Sequence, residues 1–317
     1  MKHTIAIVGA GISGLLTARV LAERGASVIV LEKSRGVGGR MATKRVGDAV
    51  FDQGAQFFTT KDPRFSSWVE VWGGRGLAGR WPGSTHRWIG IPGMTAIGKH
   101  LAMGLTIERE HKVTAARRHT SGCWELDIEE HGMLRAERLV LTAPVPQSLA
   151  ILDAGGVKLD GTLKSRLQAI RYHPCLALLV VLDGASDVPV EGISPESGPL
   201  RWVGDNVKKG ISPQVPAAVT LHASADFSAK HYGLPETEVS ALLLEAARPW
   251  LAGRSVVSSA LHRWKFSEPR SEFGEPCVWL PELTLGFAGD AFGGPRIEGA
   301  ALSGLAMGER VASHLLH

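Results

Sequence analysis

A glycine-rich turn between two apolar segments near the N-terminus constrains the fold of this 317-residue chain more than any other feature. Residues 5–8 have the composition of a buried strand, Gly9, Gly11 and Gly14 form the pattern G-x-G-x-x-G, and an apolar helical pattern follows. The first glycine permits a tight turn, the second lets a pyrophosphate approach the backbone, and the third lets the helix pack closely on the sheet. The segment predicts a strand and helix whose junction faces phosphate groups.

An acidic residue after the next predicted strand narrows the class of nucleotide. Residues 28–31 form the second strand pattern, and Glu32 follows them, 21 residues after Gly11. A carboxylate at this separation binds a ribose diol and disfavours a 2′-phosphate, which argues against NADP. The chain contains 38 glycines, so the glycine pattern alone is weak, but strand, motif, helix, strand and acid in register make a chance match improbable.

The composition is that of an ordinary soluble protein, with 44% hydrophobic and 21% charged residues. The net charge of +4 is spread along the chain without a dense basic run, which argues against nucleic acid as a partner. Cys123, Cys175 and Cys277 are far apart and have neither zinc-ligand nor disulfide spacing, so we expect no metal site and a reducing, cytoplasmic location. We expect no targeting segment and no membrane partner, because the longest strongly apolar run, residues 176–182, is too short to cross a bilayer.

The order of predicted elements indicates an α/β protein with two interleaved domains. We predict a Rossmann-like cofactor domain over residues 1–71, 95–155 and 275–317, and an α+β substrate domain with a mixed or antiparallel sheet over residues 72–94 and 156–274. In the cofactor domain, we predict a helix at residues 93–103 and strand at residues 105–118. Residues 124–128 and 138–142 are predicted to complete a β meander. The segment 283–317 is predicted to form a strand, a turn and a helix that lie beside the N-terminal strand. In the second, we predict strands at residues 174–182, 200–203, 217–223 and 255–266 and a helix at residues 236–251.

Two further elements favour a flavin over a nicotinamide as the bound cofactor. In the Gly38–Gly39–Arg40–Met41 segment, the backbone and the guanidinium are suited to a pyrophosphate or a flavin edge. Near the C-terminus, Asp290 follows a predicted buried strand and is suited to a ribityl chain, although a role in a turn or cap is the alternative. Glu298, Gly299 and Ala300 then open a helix, whose N-terminus can stabilise the negative charge of a reduced flavin.

Taken together, these motifs resemble those of the FAD-dependent amine oxidase and desaturase superfamily, most closely its renalase-like branch. The residues that carry the resemblance are GAGISG, Glu32, GGR, FDQGAQ at residues 51–56, the Pro92–Gly93–Met94 phrase, AGD and IEGA. The resemblance is thin between about residues 144 and 256. It implies non-covalent FAD, a glutathione-reductase-type FAD domain, and a substrate cavity over the flavin. The cofactor-binding residues predicted in this way are Gly9, Gly11, Ile12, Ser13, Gly14, Glu32, Lys33, Gly39, Arg40, Met41, Gly54, Ala55, Gln56, Val113, Gly289, Asp290, Glu298, Gly299 and Ala300.

The resemblance also bears on the reaction. Amine oxidases of this superfamily place an aromatic residue shortly before the Glu-Gly-Ala phrase, whereas Pro295, Arg296 and Ile297 stand there in this chain. A renalase-like enzyme, by resemblance, passes a hydride from dihydronicotinamide dinucleotides, reduced at the wrong ring position, to FAD, and passes electrons on to O2. Two alternatives stay open: a flavin amine oxidase or desaturase acting on a neutral small molecule, and a non-catalytic FAD-binding redox sensor.

The predicted strand at residues 255–266 offers candidate substrate residues. Its period-two alternation places His262, Trp264 and Phe266 on one face and Arg263 and Lys265 on the other. An indole suits a planar nicotinamide, and cations suit its pyrophosphate, although core packing and solvated charges explain the same pattern. The predicted catalytic residues are His262 and Trp264, and the predicted substrate-binding residues are Arg263, Lys265 and Trp202.

Overall fold

The computed structural model describes residues 4–315 and contains several sheets and helices that are interleaved along the chain. The strands are β1 (Thr4–Val8), β2 (Ser27–Glu32), β3 (Thr43–Val46), β4 (Ala49–Asp52), β5 (Ala78–Arg80), β6 (Trp88–Gly90), β7 (Thr106–Arg109), β8 (Val113–Arg118), β9 (Trp124–Ile128), β10 (Gly132–Ala136), β11 (Arg138–Leu141), β12 (Tyr172–Leu182), β13 (Leu200–Asp205), β14 (Ala217–Ala223), β15 (Val256–Pro269), β16 (Val278–Leu280) and β17 (Leu285–Phe287). The helices are α1 (Ile12–Glu23), α2 (Pro63–Gly74), α3 (Thr95–Ala102), α4 (Val145–Ala154), α5 (Gly161–Ala169), α6 (Ala225–His231), α7 (Glu236–Ala247), α8 (Asp290–Gly293) and α9 (Arg296–Ser313). Of the helices in this part of the chain, none combines the length and apolar character needed to cross a bilayer.

A six-stranded sheet in the order β16-β17-β11-β1-β2-β7 forms the centre of the first domain. β1 pairs in parallel with β2 and β11, with Val8 opposite both Leu31 and Leu141, and only β16 runs antiparallel to its neighbour. The carboxyl ends of the parallel strands therefore meet at one edge of the sheet, where ligands bind in open α/β sheets. The predicted α/β class with a Rossmann-like domain and additional antiparallel sheets is confirmed.

Helices α1 and α9 cover one face of this sheet and touch each other through small residues. A side chain on Gly304 of α9 would overlap the backbone of Ser13, and one on Gly308 would overlap Val20. The Thr17 hydroxyl donates to the Gly304 carbonyl at 2.9 Å. The two ends of the chain are thus held in direct backbone contact.

An antiparallel sheet in the order β13-β14-β12-β15 forms the second domain. One face packs against α6 and α7 through apolar residues such as Leu178 and Leu243. The other face receives Phe51 of β4, which packs against Leu179 and Ala218. We call this second face the inner face, because it lies against the segment that follows the first domain's Gly-Gly-Arg turn.

Two sequence predictions of strand placement are wrong, and a third is correct in type but spans two sheets. Residues 138–142 do not end the meander: its last strand is β10, and β11 instead enters the main sheet beside β1. The C-terminal strand β17 pairs with β11, so one strand separates it from β1, although α9 does return to α1. Residues 105–118 do form strand, as predicted, but divide between β7, on the edge of the main sheet, and β8 of the meander. Partner choice here depends on contacts distant in sequence, which local periodicity does not report.

Several helices were not predicted, and one is shorter than expected. Helices α2, α4 and α5 lie in segments to which the sequence analysis assigned no helix. The predicted helix at residues 236–251 ends as α7 at Ala247 and continues as a 3-10 turn over Arg248–Trp250. The predicted domain boundary between residues 71 and 72 falls inside α2, and the boundaries as a whole stay a prediction.

Candidate functional site

The carboxyl end of β2 presents a buried carboxylate beside the glycine turn. Glu32 is 6% exposed, and its two oxygens accept hydrogen bonds from the backbone N–H groups of Ala10 and Ser34, each at 2.8 Å. Each oxygen keeps a lone pair that a ribose hydroxyl can use, since a carboxylate accepts about four hydrogen bonds. The position and orientation of Glu32 fit the predicted ribose contact.

The glycine turn itself has the shape of a phosphate cradle. Gly9 has φ +107°, and a side chain on Gly14 would overlap the Gly9 carbonyl. Gly11 faces open space, because a Cβ built on it meets no atom within 4 Å. The Ser13 hydroxyl, at the start of α1, is buried and has no hydrogen-bond partner within residues 4–315. Open space at Gly11 and an unpartnered donor at Ser13 fit a pyrophosphate group.

The Gly-Gly-Arg turn lies directly against this cradle. Gly38 donates its N–H to the Ala10 carbonyl at 2.8 Å, and a Cβ on Gly39 would lie 3.3 Å from the Gly11 Cα. Met41 is buried in the same core as α1. Both predicted phosphate-binding turns are thus brought together.

Three other predicted cofactor residues lie nearby. Ile12 is buried in the first turn of α1, and Val113 packs in the same core cluster as Val8 and Leu31. Lys33 is exposed, with its ammonium 3.5 Å from the Gln147 side-chain oxygen. These positions are consistent with contacts to the adenosine end of the cofactor. The contacts themselves stay a prediction.

An ion pair joins the predicted cofactor residues of the two chain ends. Arg40 Nη1 and Nη2 lie 2.5 Å and 2.9 Å from the two carboxylate oxygens of Asp290, and Nη1 also donates to the Ser267 carbonyl at 3.1 Å. The Asp290 side chain is 7% exposed. Burial lowers the pKa of Arg40, but the Asp290 carboxylate, together with Tyr172 and Glu268, outweighs burial, and the pKa is raised. The carboxylate predicted for the ribityl chain is thus oriented by the arginine predicted for the pyrophosphate.

The start of α9 is a region of close backbone contact with free N–H groups. Side chains on Gly293 and Gly299 would overlap backbone atoms of the adjoining turn. Pro295 precedes the helix, and no side chain of residues 4–315 caps its N-terminus. Gly289, which precedes α8, donates its N–H to the Ser303 hydroxyl, and Ala300 lies in the first turns of α9. Unpaired N–H groups here fit the predicted interaction with a reduced flavin.

Glu298, in the first turn of α9, has a carboxylate that binds the chain's own backbone. One of its carboxylate oxygens accepts hydrogen bonds from the backbone N–H groups of Lys61 at 2.6 Å and Asp62 at 2.7 Å. The carboxylate therefore anchors the loop before α2, and a contact of Glu298 with the cofactor stays a prediction.

The segment at residues 52–56 connects this cofactor region to the inner face of the second sheet. Ala55 donates its N–H to the Arg40 carbonyl at 2.9 Å, and a side chain on Gly54 would overlap the same carbonyl. Gln56 is buried and its amide donates to the Asp52 and Gly54 carbonyls. The segment therefore runs along the Gly-Gly-Arg turn in a fixed register.

Trp264 of β15 lies on this segment. Its indole N–H donates to the Gln53 carbonyl at 3.1 Å, and its ring lies 3.4 Å from where a Cβ on Gly54 would be. The rings of His262 and Trp264 are 4.2 Å apart. The structure thus brings both predicted catalytic residues to the predicted cofactor segment.

A half-buried histidine that was not predicted from the sequence, His222, completes this part of the site. The Nε2 of His222 lies 3.1 Å from the Gln53 carbonyl and must carry a proton, because a carbonyl only accepts. Burial lowers the pKa of His222 to about 4, and it also lowers the pKa of His262. Both imidazoles are therefore neutral near pH 7. The strand register identifies His222 as a neighbour of His262, because both histidines lie opposite Ala177 of β12.

A second missed feature is a set of polar contacts along the outer edge of β4, which we call the β4 seam. Lys209 is 2% exposed, and its ammonium contacts the fully buried carboxylate of Asp52 and the Gln56 carbonyl. Burial lowers the pKa of Lys209, while Asp52 opposes that shift. The other contacts of the seam run from Val50 to Ser212, from Asp52 to Asn206, and from Asp52 to Thr220. The seam fixes the position of residues 52–56 relative to the second sheet.

The structure separates the predicted substrate cations from the aromatic residues. Arg263 lies on the opposite face of β15 from Trp264, and its guanidinium donates to the carbonyls of Tyr232 at 3.2 Å and Leu234 at 2.7 Å. Lys265 is exposed on that same outer face. The prediction that Arg263 and Lys265 bind the same substrate as Trp264 is therefore wrong, because alternation along one strand points them away.

Trp202 does lie on the inner face, opposite His222 in the neighbouring strand. It is 6% exposed and packs against Phe57 and Trp81, with ring centroids at 5.5 and 5.8 Å. Trp202 is thus part of an aromatic wall behind the site, and its contact with a substrate stays a prediction.

Within residues 4–315, no three His, Cys, Asp or Glu side chains form a cluster that could bind a metal ion.

Comparisons with known proteins agree with this architecture. Residues 7–71 match the family described as NAD(P)-binding Rossmann-like domain. A protoporphyrinogen oxidase 2 of Arabidopsis thaliana is 37% identical over 66 residues, which are 21% of this chain and only 13% of that protein.

Solved structures extend the likeness to the whole fold. A candidate protoporphyrinogen oxidase of Exiguobacterium sp. 255-15 superposes with a TM-score of 0.78 at 13% identity, over 99% of both chains. Wild-type putrescine oxidase bound to putrescine superposes with a TM-score of 0.73 at 14% identity, over 100% of this chain and 99% of that one. The chain therefore has a NAD(P)-binding Rossmann-like domain, and its overall fold is similar to that of these solved oxidases.

Proposed function

We propose that this protein is an FAD-dependent oxidoreductase that oxidises dihydronicotinamide dinucleotide isomers, as renalase-like enzymes do. The observation that carries the proposal is the joining of Arg40 and Asp290, from opposite ends of the chain, beside a segment on which Trp264 lies. The cofactor motifs support FAD, and an indole beside two neutral imidazoles supports a planar heteroaromatic substrate. FAD, when bound, supplies an acceptor for a hydride and returns its electrons to dioxygen.

The chain's own residues position the reactants. Glu32 binds the ribose of the cofactor, Ser13 and the N-terminus of α1 bind its pyrophosphate, and Asp290 binds its ribityl chain. Trp264 provides a flat apolar surface for the nicotinamide ring, and His262 lines its edge. Hydride transfer needs the donor carbon to be held close to the acceptor in a shielded site, and no side chain has to act as a base.

Apart from a proton from solvent, the reaction needs only dioxygen as a co-reactant. The donor C–H bond breaks, its electron pair leaves with the hydrogen as hydride, and an aromatic nicotinamide remains. The hydride and one proton from solvent together reduce O2 to hydrogen peroxide.

We also propose a cytoplasmic location, supported by three cysteines that are all free within the described residues.

A flavin amine oxidase is the second candidate, and the likeness to putrescine oxidase favours it. Arg296 argues against this alternative, because an exposed cation stands where the amine oxidases of the superfamily place an aromatic residue. A desaturase acting on a neutral molecule and a non-catalytic redox sensor are the remaining alternatives.

Anaerobic reduction of the bound flavin separates these functions. The FAD-loaded protein is mixed with dihydronicotinamide dinucleotide isomers or with amines such as putrescine, and the loss of flavin absorbance is followed. We expect rapid bleaching by at least one dinucleotide isomer and none by amines. Bleaching by amines alone would establish the second candidate, and a stable flavin that no reductant bleaches would support the redox sensor. A protein that does not take up FAD would refute all of them.

A further inference from the structure

The hairpin of β3 and β4 carries a lysine toward the inner face of the second sheet. Lys44 lies opposite Phe51 in the antiparallel register, so both side chains project to the same side of the hairpin. Phe51 is fully buried against Leu179 and Ala218 of the inner face. Lys44 therefore points toward the second sheet.

The β4 seam decides which part of that sheet Lys44 approaches. The outer edge of β4 is bound to β14 and the loop after β13, because Val50 donates to Ser212 at 2.8 Å and Thr220 donates to the Asp52 carbonyl at 3.3 Å. β3 must then lie on the other side of β4, over β12 and β15. Leu179 pairs with Ala260 of β15, two residues before His262. Lys44 is thus placed beside His262 at the open side of the site.

The electrostatics agree with this placement. After burial, which is the larger cause, the charge of Lys44 also lowers the pKa of His262. The two groups are therefore near enough to repel when both are charged.

Lys44 also differs from the other cations around the site. Arg40 is paired with Asp290, Lys209 with Asp52, and Arg201 with Glu268. The Lys44 side chain is half-buried, and within residues 4–315 its ammonium has neither a carboxylate nor a hydrogen-bond acceptor in contact. A half-buried, unneutralised cation next to an aromatic surface is suited to an anionic group of a ligand.

We propose that Lys44 binds a phosphate of the nucleotide substrate while its nicotinamide ring lies over Trp264. Lys44 takes the role that the sequence analysis gave to Arg263 and Lys265, which point to the opposite face. The inference rests on the proposed function for the identity of the substrate, but the phosphate site itself is open to a separate test.

Binding of oxidised NAD⁺ to the FAD-loaded protein tests the site without turnover. The probe is followed by the change it causes in the flavin absorbance spectrum, for the wild type, Lys44→Met, and the control Arg45→Met. Arg45 is the neighbouring residue, is exposed, and points to the other side of β3, so both variants lose one positive charge. We expect about 10-fold weaker binding for Lys44→Met, as for the loss of one charge-assisted hydrogen bond. Arg45→Met is expected to bind like the wild type, and Lys44→Arg to retain most of the affinity.

Free nicotinamide, which has no phosphate, provides the second control. Its binding is expected to be the same in the wild type and in Lys44→Met. Equal losses for nicotinamide and NAD⁺ would show a structural effect and overturn the proposal, as would equal losses in Lys44→Met and Arg45→Met. No spectral change with NAD⁺ in the wild type, or unchanged NAD⁺ affinity in Lys44→Met, would also overturn it. If Lys44→Met loses flavin, Lys44→Gln replaces it.

Turnover separates failure of this site from failure of the proposed function. With dihydronicotinamide dinucleotide, we expect Lys44→Met to raise KM about 10-fold and to leave kcat unchanged, because the phosphate is remote from the reacting ring. If no dihydronicotinamide reduces the flavin but NAD⁺ binding depends on Lys44, the proposed function fails and the phosphate site stands. If reduction proceeds with an unchanged KM in Lys44→Met, the function stands and the site fails.

Discussion

At the scale of single residues, the buried pair of Lys209 and Asp52 sets an energetic constraint on the site. Each charge is almost completely removed from water, and each is balanced by the other. Removing one partner leaves an uncompensated buried charge, which typically costs about 3–5 kcal/mol. Loss of either charged partner alone is therefore expected to destabilise the site strongly.

We predict that Lys209→Met lowers the free energy of unfolding by about 3–5 kcal/mol, because Asp52 keeps its charge in a dry site. The exposed Lys230 of α6 provides a matched control, and Lys230→Met is expected to change stability by less than about 0.5 kcal/mol. Urea unfolding of both variants measures the difference. Similar stabilities for the two would show that the Lys209 site is hydrated.

Glu32 is expected to contribute to FAD affinity through charge-assisted hydrogen bonds. Glu32→Ala removes bonds worth about 1.5–3 kcal/mol, which corresponds to a weakening of roughly 10- to 100-fold at 1.4 kcal/mol per decade. Glu23→Ala, at the exposed end of α1, is the control and should leave affinity unchanged. Fluorescence titration of the apoprotein with FAD gives both constants. If the two variants bind FAD equally, the ribose does not contact Glu32.

His222 makes the stability of the fold depend on pH in a defined direction. Its folded-state pKa is about 4, below the value of about 6.5 in an unfolded chain. Between these values the unfolded chain binds a proton that the folded protein does not, so stability falls as pH decreases from about 6.5 toward 4. We predict a loss of up to about 1.4 kcal/mol per pH unit from this group.

The contribution of His222 is isolated by His222→Gln, which keeps a donor to the Gln53 carbonyl but does not titrate. Urea unfolding between pH 7 and 4.5 should give a shallower slope for this variant than for the wild type. Parallel slopes would assign the pH dependence to other groups.

At the scale of elements, the contact between α1 and α9 depends on glycine. A side chain on Gly304 would overlap the Ser13 backbone, which cannot move without disturbing the phosphate turn. We predict that Gly304→Ala costs about 1–3 kcal/mol in stability and also weakens FAD binding. Gly74→Ala is the matched control, because Gly74 ends α2 and a Cβ there meets no atom within 4 Å. It should be neutral or stabilising. Thermal unfolding with and without FAD measures both variants, and equal effects would contradict the prediction.

The sequence predicts those elements whose signal is local. The turn from β1 to Glu32 was predicted because its glycines, periodicity and acid lie within 28 residues, and the four strands of the second sheet were predicted from apolar runs. The position of β11 and the partner of Lys209 were not predictable in this way. Asp52 and Lys209 are 157 residues apart, and no periodicity in either segment distinguishes a buried ion pair from two solvated charges. Alternation separates Arg263 from Trp264, but it does not report the Tyr232 and Leu234 carbonyls that bind the guanidinium on the outer face.

At the scale of the whole molecule, the β4 seam and the hydrogen bond from Arg40 to the Ser267 carbonyl link the two predicted domains through the site. We predict a single cooperative unfolding transition that FAD shifts as a unit, by about 2.7 kcal/mol when free FAD is at 100 times its Kd. Calorimetry at several FAD concentrations measures this shift. Two transitions, of which only one responds to FAD, would show that the second sheet unfolds independently.

The order of strands in the main sheet has a consequence for synthesis in the cell. β17 and α9 are synthesised well after β11 and α1, yet β17 adjoins β11 and α9 packs on α1. A ribosome-bound chain that has not yet emerged beyond Asp290 has the adenosine-binding half of the site but not the carboxylate that joins Arg40. Firm loading of the coenzyme must therefore wait until α8 and α9 have been synthesised, and a chain truncated before β17 should leave the ribosome colourless.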